Sequence, residues 1–154
     1  MNIFNALRIV LLASLASFSL LSVAHADNAL QMELTANKVI KNAEGKVSYL
    51  PVSTAPAGTT IQYKATYTNT INKDINDLMV TLPIPANMIF TGEANPASAQ
   101  ASTDGKNYAD MPLMQKVNGK LVKTPLSEYR TLRWNIKLLP AMKSAAVALN
   151  TTVN

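Results

Sequence analysis

From Thr59 to Asn69 the chain reads TTIQYKATYTN, and its side chains alternate strictly. Ile61, Tyr63, Ala65 and Tyr67 are interleaved with Gln62, Lys64, Thr66 and Thr68. A period of two puts the first set on one face of an extended strand and the second on the other. Tyr and Thr suit a pleated, half-covered surface. The same pattern returns downstream, with Leu132, Trp134, Ile136 and Leu138 facing one way and Thr131, Arg133, Asn135 and Lys137 the other. Strands of this kind must bury one face against a second layer while the other stays wet, which is how antiparallel sheets are built.

The rest of the chain repeats this logic in shorter pieces. Leu30, Met32 and Leu34 share one face, a turn is expected at Asn42–Gly45, and Lys46–Pro51 forms a further strand. Thr54–Gly58 is a loop. Asp77–Pro83 is a strand with Leu78, Val80 and Leu82 inward, stopped by Pro83 and Pro85, which cannot donate to a ladder. Met88–Thr91 is extended. Asp104-Gly105 and Asn118-Gly119 both suit tight hairpin turns, because Asn, Asp and Gly tolerate positive φ. The second hairpin is expected between Met114–Val117 and Lys120–Lys123. Leu139–Lys143 turns the chain into a last strand whose buried face carries Ala145, Val147, Leu149 and Val153. No long segment has helical period. Short strands spaced by turns predict an all-β antiparallel sandwich of about seven strands.

The amino-terminal segment has a different character. Met1–Leu7 and Arg8 precede an apolar run from Ile9 to Leu21, followed by Val23-Ala24-His25-Ala26. This three-part pattern is that of a secretory signal peptide over residues 1–26. The run is too short to span a bilayer, which takes about 20 apolar residues, so no membrane span is expected after cleavage. Cleavage leaves residues 27–154 as one domain, large enough for a substantial core. Its 13 basic and 9 acidic residues give a net charge of +4, with lysines scattered rather than clustered. No basic run interleaved with aromatics is present, so no nucleic-acid partner is expected.

The chain has no cysteine, and its single histidine is His25, inside the leader. The exported domain therefore lacks thiolate nucleophiles, disulfides, the Ser-His-Asp arrangement and histidine-bound zinc. No catalysis, metal or cofactor is expected. Asp74, Asp77 and Asp104 read as Asx-turn residues. Lys143 and Ser144, adjacent on a strand, point to opposite faces and cannot act together. Glu33, Glu44, Glu93 and Glu128 lie in polar contexts. Among the aromatics that stack on sugars or bases in other proteins, Tyr63, Tyr67 and Trp134 fall on apolar faces and belong to the core, whereas Tyr49, Tyr108 and Tyr129 carry no such assignment.

Three stretches carry a resemblance. Ala57–Asn69, Leu78–Phe90 with its Leu-Pro-Ile-Pro corner, and Leu132-Arg-Trp-Asn-Ile136 followed by Leu139–Ala145 are together similar to the Ig-like conserved-repeat domain of prokaryotic surface proteins, the domain of unknown function numbered eleven. The match runs from about Ser53 to Val153. Two positions differ from the family's usual pattern, with no acidic residue near Val80-Thr81-Leu82 and Ala141-Met142 in place of a glycine turn. The resemblance implies an Ig-like sandwich displayed in the bacterial cell envelope.

One region is too apolar for an ordinary loop. Met111, Leu113, Met114, Val117, Leu121 and Val122 crowd into a dozen residues, with Leu126 just beyond. They either cap one end of the sandwich or form a contact surface for an envelope protein, since methionine adapts to varied partners and exposed apolar patches mark contacts. The expected function is thus an exported, non-catalytic structural or interaction module of the envelope, in the periplasm or at the cell surface. The alternative is a glycan-binding or glycan-acting sandwich, which requires exposed aromatics near polar groups.

Overall fold

The computed structural model describes residues 29–154; the expected leader and the new amino terminus at Asp27 lie outside them. Among the described residues eleven strands form, at β1 Leu30–Lys41, β2 Val47–Pro51, β3 Thr60–Asn69, β4 Ile75–Pro83, β5 Met88–Asn95, β6 Gln100–Ser102, β7 Ala109–Asp110, β8 Met114–Val117, β9 Lys120–Lys123, β10 Thr131–Leu139 and β11 Ser144–Val153. Seven of them, β1 to β5 with β10 and β11, are five residues or longer. One sheet runs β2-β1-β3-β11-β5, a second runs β4-β10-β6-β7, and β8 pairs only with β9. Every pairing is antiparallel. The expected all-β antiparallel sandwich is what forms.

Its winding follows a definite rule. From β3 to β6 the chain alternates between sheets. It then returns with β10 inserted between β4 and β6, and β11 between β3 and β5. The last two strands therefore lie in opposite sheets, whereas the last two strands of an Ig domain are neighbours in one sheet. The order here is that of a jelly roll, a doubled antiparallel ribbon rolled into two sheets.

The core forms where the two alternating runs meet. Ala65 and Tyr67 of β3 and Val147 and Leu149 of β11 pack with Val80 and Leu82 of β4 and Leu132 and Trp134 of β10 in one buried cluster. Phe90 and Tyr129 complete it, with ring centroids 5.6 Å apart and planes tilted by 33°. The Trp134 indole N–H donates to the Pro96 carbonyl at 2.8 Å, so the one polar atom of that side chain is satisfied.

A buried amide closes one end of the sandwich. Asn69, fully buried at the end of β3, donates from Nδ2 to the carbonyls of Lys73 at 2.8 Å, Leu139 at 3.1 Å and Pro140 at 3.1 Å. Its Oδ1 accepts from the Ile71 N–H, and its own backbone N–H donates to the Lys143 carbonyl. The β3–β4 and β10–β11 connections, both of which cross between sheets, are thereby joined through one side chain.

Two expectations about faces are corrected. Met32 and Leu34 lie opposite buried Tyr67 and Ala65, so they sit on the inward side of their sheet. They are nevertheless 59% and 51% exposed, because the second sheet does not extend over β1. In β10, Leu138 is exposed and Leu139 is buried, the reverse of strict alternation from Trp134. The strand opposite carries Asp77 at φ +49°, and this left-handed residue locally turns the pleat. Its carboxylate pairs with Lys137 at 3.0 Å, an exposed ion pair that contributes little stability.

Two substitutions test this core by urea denaturation. Trp134→Ala should cost about 3–5 kcal/mol, as truncation of a large buried aromatic does. Asn69→Ala should cost about 2–4 kcal/mol, because each buried hydrogen bond left unmade costs about 1–3 kcal/mol and more than one is lost. A midpoint unchanged in either variant would show that the residue does not hold the sheets together.

Candidate functional site

The Met111–Leu126 region separates into an anchor and a free ribbon. Leu113 is buried and Met111 packs against the core. These two are therefore not part of an outward surface, which corrects the sequence expectation for them. The physical reason is the hydrogen bonding at the base: the Leu113 backbone N–H donates to the buried Tyr129 hydroxyl at 2.8 Å, and the Thr124 N–H donates to the Leu113 carbonyl. Tyr129 in turn is fixed by its stack on Phe90. The sequence pattern predicts a strand from Tyr129, whereas β10 begins at Thr131 and Tyr129 precedes its alternating part.

Beyond that base, β8 and β9 project as a two-stranded ribbon with no third strand. Met114, Val117, Leu121 and Val122 are all exposed, Leu121 at 64%. The hairpin and its limits match the sequence expectation. Asn118 at φ +51° and Gly119 at φ +78° form the turn, the positive pair that a type I′ connection requires. The register pairs Met114 with Lys123, Gln115 with Val122, Lys116 with Leu121 and Val117 with Lys120. No apolar residue lies directly across from another. The ribbon holds three lysines and no acidic residue, so it combines apolar surface with unopposed positive charge.

The other residues singled out from the sequence do not assemble into a reactive centre. Asp104 accepts from the backbone N–H groups of Lys106 and Asn107, the Asn107 side chain and the Ser102 hydroxyl. These bonds hold its carboxyl well below the usual carboxylate range, the backbone donors contributing most. Asp104 thus organises the β6–β7 loop, which at residues 103–108 is wider than the two-residue hairpin expected there. The Ser144 hydroxyl is hydrogen bonded to that of Thr68 at 2.8 Å. Asp74 accepts from the Ala141 N–H. Among the described residues no three His, Cys, Asp or Glu side chains come together, and no helix is long and apolar enough to cross a membrane. Tyr67 and Trp134 are in the core and Tyr63 packs against it. Tyr108 lies under the Arg133 guanidinium, 4.1 Å from its ring centroid, and Tyr49 is exposed.

Comparison with protein-family models, curated proteins and solved structures returns no match to this chain.

The Tyr129 hydroxyl is the testable part of the anchor. Tyr129→Phe strands the buried Leu113 N–H and should lower stability by about 1–3 kcal/mol. It should also speed amide exchange at Leu113 ahead of the sheet core. Unchanged exchange at that amide would show that the ribbon is held by other contacts.

Proposed function

We propose that this chain is an exported, non-catalytic interaction module of the bacterial cell envelope, working in the periplasm or at the cell surface, and that the β8–β9 ribbon is its contact surface for another envelope protein. The observation that carries this reading is the ribbon itself. A two-stranded hairpin is marginal in water by itself, yet here it stands on a buried anchor with four large apolar side chains outward. Exposed apolar groups ringed by like charge fit a partner that offers an apolar patch bordered by acidic side chains. The leader-like segment at 1–26 supports the same reading. So does the absence of both Cys and His from the expected mature domain, which removes thiolate nucleophiles and imidazole bases.

Lysine-directed crosslinking in the native host, followed by peptide mass spectrometry, tests it. A protein partner should be linked through Lys116, Lys120 or Lys123. Burying a Leu or Met side chain is worth about 1.5–3 kcal/mol, so the double variant Met114→Ser, Leu121→Ser should reduce that adduct at least tenfold without changing thermal stability. Adducts confined to lysines elsewhere, or unaffected by the double variant, would remove the ribbon from the contact.

A further inference from the structure

The outer face of the five-stranded sheet carries a trough that the core does not use. A concavity of about 330 Å³ there adjoins another of about 150 Å³. Tyr49, Gln62, Asn95 and Ala148 line both, so these four residues mark the middle of one continuous site. The floor is low because β11 places Ala148 between Lys64 of β3 and Asn95 of β5, and Ala146 beside Thr66 of β3.

The β5 wall depends on a bulge. Phe90 lies opposite Thr151 and Ala94 opposite Leu149, so Thr91, Gly92 and Glu93 together oppose Asn150 alone. Gly92 takes φ +91° there, the Thr91 hydroxyl donates to the Asn150 carbonyl, and the Glu93 N–H donates back to that hydroxyl. Bulges re-aim side chains. This one brings the Glu93 carboxylate to 2.6 Å from Asn150 Nδ2 and sets Asn95 across from Ala148.

The chemistry of the lining selects among ligand classes. Gln62 and Asn95 stand on opposite walls, and neither side-chain amide has a hydrogen-bond partner among the described residues. Each offers two donors and an acceptor oxygen, which complements a ligand rich in hydroxyl groups. Tyr49, 48% exposed, adds an aromatic plane with a polar tip, suited to a ligand with one apolar and one polar side. The charges nearby, Lys64 in one concavity and Glu93 in the other, are single and of opposite sign. A nucleic acid needs a run of cations to neutralise its phosphates, and that is missing. An extended peptide adds to a free sheet edge through its backbone. This trough lies over β3 and β11, whose backbone groups are already paired on both sides, so recognition must run through side chains.

We infer that this trough binds an oligosaccharide, with Tyr49 stacking on a sugar ring and Gln62 and Asn95 hydrogen bonding to its hydroxyls. The site is separate from the β8–β9 ribbon and does not depend on it. Isothermal titration calorimetry of the purified protein with cellotetraose, maltotetraose and chitotetraose tests the inference. At least one tetrasaccharide should bind saturably. Tyr49→Ala and Gln62→Ala should each weaken that binding at least tenfold at unchanged melting temperature. Tyr49→Phe should retain it, since the ring and not the hydroxyl makes the contact. The double variant Met114→Ser, Leu121→Ser should bind sugar like the parent, whatever becomes of its crosslinks. Absence of binding to all three at millimolar concentration, or parental affinity in Tyr49→Ala or Gln62→Ala, would overturn the assignment.

Discussion

The sandwich depends on a side chain that is neither apolar nor charged. Asn69 ends β3 where the chain must leave one sheet for the other, and the β10–β11 corner makes the reverse crossing beside it. Both crossings expose carbonyl groups that no ladder can reach. A buried carbonyl left bare costs more than a hydrogen bond normally contributes, so either crossing alone would be a weak point. The Asn69 amide meets carbonyls from both, and the Met142 N–H adds a backbone bond to the Ile71 carbonyl across the same junction. With no cysteine in the chain, no covalent bridge can substitute. This junction ties together the ends of the two alternating strands β3 and β10, whose apolar faces meet in the core.

Much of that arrangement is written in the chain. Ile61 to Tyr67 and Leu132 to Trp134 declare both their strand character and their inward face, because one face has to be dry along the whole length. The Asn118-Gly119 turn fixes the β8–β9 hairpin to the residue, since only a connection with two positive φ values fits there. What the pattern cannot convey is coverage. Met32 and Leu34 alternate as a buried strand does and point the right way, yet the opposite sheet ends before reaching them. Nor does alternation reveal Asp77, whose left-handed backbone exchanges the roles of Leu138 and Leu139. Asn69 itself reads as an ordinary turn residue, because its partners lie up to 71 residues away.

The two surfaces differ in how far sequence alone could find them. The ribbon announces itself as apolar residues where a loop was due. Its division into a buried base and an exposed ribbon does not, because the Leu113 N–H is held by the Tyr129 hydroxyl 16 residues on. The outer trough is harder still. Thr35, Gln62 and Asn95 come from three strands and look like any solvent-facing positions. They become a site only when β11 is inserted between β3 and β5 and offers alanines at two successive outward positions. That insertion is a consequence of the jelly-roll winding, which no local pattern specifies.

The register of the ribbon also bears on how such a surface would meet a second copy of itself. A two-stranded sheet has two free edges, each a template for pairing with another chain. Directly opposed side chains are the strongest lateral contacts in a sheet, and here each of three lysines faces an apolar residue across the pair. A second copy docking on the ribbon would add its own three lysines to the contact, where like charges repel. A partner bearing carboxylates at the same spacing meets the apolar groups and relieves the charge together. In the proposed contact the lysines would work against self-association and in favour of an acidic partner through one arrangement, which depends on this register.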